Sequence, residues 1–297
     1  MSINKEAIRT IEGDYAVVRI SFKNLTEFEM YLQSNPPVNK KIFTNQMSLR
    51  ANKEFAGESL EQAISYCHGG YRENFDQFLT LKKMMDSVNV AYSNRRKTVT
   101  SVVGSRPNVP AYIAGAPKTM YRTERVKEKK FIDIYFNLAY SGFTTEQQVL
   151  NRGIITLNLV DLLEKSGIGV NLHVFEACYV QNEIFLADIA IKKPGDPLNI
   201  GKCYYPLCSK EFVRRLMLRV KESMPFKQNW GVSYGMILDE AKVRDILKID
   251  DKKILILAPG DMGINGKNLF DDADACIDIL NLKDTVSLPK YRMEAES

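Results

Sequence analysis

Residues 131–140, Phe-Ile-Asp-Ile-Tyr-Phe-Asn-Leu-Ala-Tyr, decide the fold. They form a nearly continuous apolar run with a single carboxylate, Asp133, and a strand covered on both faces reads that way. A second run of the same kind, Lys253-Ile-Leu-Ile-Leu-Ala-Pro-Gly260, lies near the other end of the chain. Between them the pattern alternates. Thr145-Glu-Gln-Gln148 fits a capping box and opens a helix to about Lys165, with Val149, Leu150, Leu157, Val160 and Leu163 on its apolar face and Ser166-Gly167 at its end. Gly153, inside that helix, predicts close packing of the connector (residues 106–130) against it, because glycine costs about 1 kcal/mol there relative to alanine. Strand 170–180 and strand 184–191 flank the two-residue turn Gln181-Asn182, a β-hairpin signal. Ser209 caps a helix over 210–223, another follows at 239–247, and Leu269, Phe270, Ala273, Cys276, Ile277 and Leu280 mark a last one at 269–280.

Strands alternating with helices predict an α/β domain over residues 131–283: a doubly wound, mostly parallel sheet with one antiparallel edge strand. A tail follows at 284–297. Upstream, residues 1–105 read as a smaller α+β region. It has a strand at 14–22, a helix capped by Asn24, a helix from the capping box Ser59-Leu-Glu-Gln62 to Gly69-Gly70, and one at about 72–87. Residues 106–130 read as a Pro-rich, then basic, connector.

Composition bounds the rest. The chain has 297 residues, 45% apolar and 26% charged, which excludes a largely disordered protein. No apolar stretch approaches the ~20 residues that cross a bilayer. The charged start Met-Ser-Ile-Asn-Lys-Glu lacks an apolar signal core, so a cytoplasmic protein is expected. Cys67, Cys178, Cys203, Cys208 and Cys276 are odd in number and widely spaced, which predicts free thiols. His68 and His173 have no evident partner in the sequence, and GxSxG, GxGxxG and GxxxxGK[ST] are all absent, so the reading leans away from an enzyme.

The order of elements over 130–283 resembles the von Willebrand factor A-type domain, in which the second strand also turns back into an antiparallel edge strand. That family carries a metal site written Asp-x-Ser-x-Ser after its first strand. Here the stretch is Asn137-Leu-Ala-Tyr-Ser141, and Ala258-Pro-Gly-Asp261 stands where the family's later loop carries an aspartate. The resemblance implies a degenerate site: no resident cofactor, and at most a loosely held Mg²⁺ at Asn137, Ser141 and Asp261. The whole chain also resembles a family of uncharacterised bacteriophage proteins. The matching segments are Phe55–Ala63 with Gly69-Gly70, Gly104 with Val109–Met120, and Asn151-Arg152-Gly153 through Leu162-Leu-Glu164 and Gly167. This implies phage origin and no assigned activity.

Ligands of such sheets bind outside the carboxyl ends of the strands. The expected ligand or partner rim is therefore Asn137, Ser141, Thr144, Arg152, Gly260, Asp261 and Asn265. A non-catalytic protein-binding or assembly role, through this rim and loop 107–117, is the leading expectation, with a protein partner or a second copy bound. The alternatives are nucleic-acid binding through Arg95, Arg96, Lys97 and the basic helix residues Arg214, Arg215 and Arg219, and a small-molecule or phosphate-binding enzyme at the rim.

Overall fold

The computed structural model describes residues 6–34, 52–85, 96–125, 131–165, 167–230, 234–249 and 254–256. A seven-stranded mixed sheet forms the centre. Its strands are β1 (Ile8–Glu12), β2 (Tyr15–Phe22), β6 (Phe131–Asn137), β7 (Gly169–Val180), β8 (Glu183–Lys192), β9 (Met236–Ile237) and β10 (Ile254–Ile256), in the order β1-β2-β8-β7-β6-β10 with β9 also on β7. The two apolar runs lie side by side: Ile254, Leu255 and Ile256 of β10 pair in parallel with Ile134, Tyr135 and Phe136 of β6. A second sheet holds β3 (Arg96–Ser101), β4 (Arg106–Pro107) and β5 (Met120–Arg125), in the order β3-β5-β4.

Two expectations need correction. The large sheet is mixed rather than mostly parallel: β2–β8, β6–β7 and β6–β10 are parallel, while β1–β2, β7–β8 and β7–β9 are antiparallel. Nor is β8 an edge strand, because β2 pairs with it along Ala16–Phe22 and places it inside the sheet. The physical reason is its composition. Glu183–Lys192 is apolar at both alternating sets of positions, so neither its faces nor its outer edge suits water. Residues 8–22 thus belong to the same sheet as residues 131–192.

Helices cover both faces. One face packs on α1 (Leu25–Gln33), α2 (Lys53–Ala56), α3 (Leu60–Ser65), α4 (Phe75–Met85), α6 (Glu146–Lys165) and α7 (Ile200–Cys208). It also packs on the segment after Ser209, a π-type turn Phe212–Met217 running into α8 (Leu218–Lys221). The core on this side runs without a break from Val18 to Trp230. On the opposite face α9 (Glu240–Leu247) inserts Val243 and Ile246 against Val17, Phe175, Ala177, Ile184 and Leu186. These strand residues alternate with the ones facing the larger core, as a period of two requires.

Caps fix the helix starts. Asn24 Oδ1 accepts from Glu27 N–H (2.8 Å), and Ser59 Oγ from Gln62 N–H (3.2 Å). In the box at 145–148, Gln148 Oε1 accepts from Thr145 N–H (2.9 Å) and Thr145 Oγ1 from Gln148 N–H (3.2 Å). After α3 the chain widens into a π-type turn, Tyr66–Gly70, that ends at Gly69 with φ 101°, a conformation open chiefly to glycine. Gly153 does mark close packing, but the neighbour is α7 and not residues 106–130: a Cβ there would collide with the Leu207 carbonyl and the Cys208 sulfur. Residues 96–125 themselves fold as the small sheet with a short helix, α5 (Val109–Ile113), between β4 and β5.

Candidate functional site

The carboxyl end of β6 is built as a tight polar corner. Asn137 is buried, and its Oδ1 accepts from Ala139 N–H (2.9 Å), while Leu138 N–H donates to the Phe175 carbonyl (2.6 Å). The chain then turns outward. Ser141 Oγ accepts from Phe143 N–H (3.3 Å), the Ser141 carbonyl accepts from Thr144 N–H (3.0 Å), and α6 begins two residues later. Asn137, Ser141 and Thr144 therefore share one rim. Gly260, Asp261 and Asn265 lie outside the described residues, as does Arg95.

Of the three expected oxygen ligands, Asn137 and Ser141 are among the described residues and Asp261 is not. A hard cation takes six or more oxygens, several of them anionic. Asn137 and Ser141 offer one amide and one hydroxyl oxygen, and each already accepts a backbone N–H. Among the described residues no group of three His, Cys, Asp or Glu could hold a metal.

Arg152 does not reach the rim surface. It is 1% exposed, and its guanidinium carbon sits 4.0 Å over the Phe136 ring, beneath the corner. The basic helix also turns inward. Arg215 and Arg219 are buried, with Arg215 Nη2 donating to the Gly57 carbonyl (2.9 Å). Arg214 lies 4.7 Å over the Phe55 ring and donates to the Phe55 carbonyl (3.2 Å). Arg214 and Arg215 tie residues 55–57 to the helix and Arg219 is buried, so the expected solvated basic face is absent there. Two of the three, Arg214 and Arg215, lie in the π-type turn. It rotates successive side chains away from the 3.6-residue projection on which the sequence reading rests.

A cleft of about 350 Å³ opens between α2, the turn after α3, the start of α6 and the Ser209 corner. Tyr71, Glu73, Glu146, Lys210, Glu211 and Arg214 line it. Burial raises the Glu211 carboxyl above its usual range, opposed by the Glu58 N–H that it accepts. Burial and Arg214 lower Lys210. No sequence motif linked these residues, which come from three separate segments.

Both histidines have partners. His173 Nδ1 lies 3.0 Å from Asp188 Oδ1, with the Tyr135 ring stacked at 5.0 Å. His68 Nε2 lies 3.2 Å from Glu29. Asp133, the carboxylate inside the first quoted strand, accepts from Asn171 Nδ2 (2.9 Å). His173, Asp188 and Asn171 border an open groove of about 790 Å³ on the α9 side of the sheet. The described cysteines, Cys67, Cys178, Cys203 and Cys208, are free and buried, and burial pushes the Cys178 and Cys203 thiols up to about 12.

Most described residues of the small sheet and its connecting segments are exposed. Ser101 and Pro107 both pair with Met120, so the β3–β4 turn and α5 emerge at the same end. Asn108, itself buried, caps α5 through Ala111 N–H (3.2 Å). Beyond that anchor the side chains are large, apolar and solvated: Val102 is 68% exposed, Val103 73%, Val109 54%, Tyr112 74% and Ile113 78%.

These features define a mixed α/β protein with a closed polar corner at the carboxyl end of its central strand, a neighbouring cleft, and a projecting apolar tip. Residues 4–285 match one family model, and the chain belongs to that family, a domain of unknown function, DUF7192. No curated protein and no solved structure matches the chain. No helix among the described residues is long and apolar enough to cross a membrane.

Proposed function

We propose that the chain is a non-catalytic binding or assembly protein that engages a protein partner through the tip of the small sheet. One observation carries this reading: five large apolar side chains within residues 102–113 stand in water on a rigidly capped turn. Contiguous exposed apolar surface on a folded protein marks an interaction site, since each such side chain gains roughly 1.5–3 kcal/mol when covered. The order β8-β7-β6-β10, with β7–β8 antiparallel and the other two pairs parallel, supports a von Willebrand A-like reading of the large sheet. Its rim would then work without a metal, because an amide and a hydroxyl stand in place of the ligands. If the chain is of bacteriophage origin, as its resemblance implies, the partner belongs to the infected cell.

The test pairs the wild-type chain with the double variant Tyr112→Ser, Ile113→Ser. Light scattering after size exclusion reads self-association, and pull-down from lysate of the source cells reads a heterologous partner. The wild type is expected to self-associate or retain a partner, and the variant to lose it while melting at the same temperature. A wild type that runs as a clean monomer and retains nothing counts against the reading.

A further inference from the structure

The chain carries a counterpart to its own apolar tip. Residues 98–123 contain Arg106, Lys118 and Arg122 and no aspartate or glutamate. Arg106 and Lys118 are exposed, and no ion pair holds either of them among the described residues. Arg106 lies between Val103 and Val109, and Lys118 follows Tyr112 and Ile113, so the tip presents apolar bulk flanked by positive charge. The cleft beside the Ser209 corner has the opposite character. Phe55, Tyr66, Tyr71 and Leu150 give it aromatic and apolar wall, and five glutamates line it against one lysine, Lys210, and one arginine, Arg214. Two of the carboxylates are committed: Glu58 pairs with Lys53 (2.9 Å), and Glu211 accepts the Glu58 N–H. Arg214 is committed as well, to the Phe55 ring and carbonyl. Glu54, Glu73 and Glu146 are exposed and hold no ion pair among the described residues. Both π-type turns contribute to the wall, through Tyr66 and Arg214, and such turns recur at functional sites. At about 350 Å³ the cleft is at the small end of ligand sites, which span roughly 300–1,000 Å³, a size for a few inserted side chains.

We propose that the tip of one copy of this chain docks into the cleft of a second copy. Tyr112 and Ile113 enter against Phe55, Tyr66 and Tyr71, while Arg106 and Lys118 meet Glu54, Glu73 and Glu146. This rests on the reading of the tip as an interaction surface and names the partner of that surface. Charge disfavours the other self-contacts. Tip against tip sets Arg106 and Lys118 against their own copies, and cleft against cleft sets the three unpaired carboxylates against theirs. Tip into cleft covers the exposed apolar side chains and brings opposite charges together in one contact. The two surfaces differ, so the contact is heterologous and each bound copy still offers a tip or a cleft to the next. Copies then build a ring where the rotation closes and a filament where it does not.

Sedimentation velocity of the full chain, over a range of concentration and salt, tests it. The wild type is expected to form oligomers that grow with concentration and dissociate as salt rises. Reversing the tip (Arg106→Glu, Lys118→Glu) or the cleft (Glu73→Lys, Glu146→Lys) is expected to weaken association by about 100-fold, because like charges then face each other. An equimolar mixture of the two reversed chains is expected to associate again, since every tip then finds a cleft of opposite charge. A wild type that stays monomeric at every concentration overturns the inference. So does a mixture that stays monomeric while both variants melt like the wild type, and so does association that the cleft reversal leaves unchanged. If a double variant does not fold, Lys118→Glu and Glu73→Lys, each outside a helix, are mixed instead and decide in the same way. In each of these failures the tip reading itself survives where lysate pull-down retains a partner that the Tyr112→Ser, Ile113→Ser variant loses. Association and partner capture both unchanged in that variant overturn the two together.

Discussion

Lys221 carries its ammonium group into the core. Its Nζ donates to Glu176 Oε1 (2.6 Å) and to the Tyr234 carbonyl (2.8 Å), with the Phe185 ring 5.1 Å away. Both partners of the ion pair are buried. Breaking such a pair strands the other charge, so Lys221→Met is expected to cost about 3–5 kcal/mol in urea unfolding. Adding Glu176→Leu should recover most of that loss, because the stranded charge and not the missing pair dominates. Glu183 is the second buried charge with a readable consequence. Burial alone would raise its carboxyl, but Arg9 and the N–H groups of Gln228, Trp230 and Lys227 outweigh that and hold it below the usual 4.5. A carboxyl lowered in the fold contributes stability that is present above its unfolded value and disappears as pH falls through the folded one. Stability should therefore drop as pH falls below about 4.5, and Glu183→Gln should flatten that part of the curve. An unchanged acid limb would show that Glu183 is not the group responsible.

At the scale of elements, Gly153 lets α6 and α7 touch backbone to backbone. Gly153→Ala improves helix propensity by about 1 kcal/mol but forces a methyl into the Leu207 carbonyl. Overpacking costs about 1–3 kcal/mol, so a net loss is expected, read as a lower melting temperature. Sequence reading did well where signals are local. The capping residues Asn24, Ser59 and Thr145 and the Gln181-Asn182 hairpin each rest on a few adjacent residues, and each stands in the structure where it was expected. It failed where they are not. Helix α7 holds Pro206, which reads as a breaker. Strand β5 is polar and short, with prolines upstream, and so reads as connector. Of the rim, Asn137 and Ser141 were legible as the residues that follow a buried strand. The cleft was not, because Tyr71, Glu146 and Glu211 meet only through tertiary packing.

At the scale of the whole molecule, one core joins Val18, Phe28, Phe78, Leu157, Phe185 and Trp230. The chain read as separate regions, yet β2 pairs with β8 along seven residues and α4 packs on α6. Calorimetry is therefore expected to show one transition for the large sheet and its helices, not two. A fragment starting at residue 131 should fail to fold, since it exposes the β8 edge and the apolar face that Val18, Ile20 and Phe22 cover. A soluble, cooperatively melting fragment would show that the N-terminal strands are dispensable.

The β2–β8 ladder has a further consequence for how the molecule is made. Ala16 must find Glu183, and Phe22 must find Ile189, so the second strand synthesised waits for a neighbour that emerges more than half a chain later. At roughly 5–20 residues per second that is on the order of ten seconds or more of ribosome time. Throughout it, β2 can pair with β1 alone, and its other edge stays open. Contacts so distant in sequence slow folding and leave the nascent chain open to aggregation. Production at reduced temperature, or with a chaperone that shields nascent chains, should raise the yield of soluble protein.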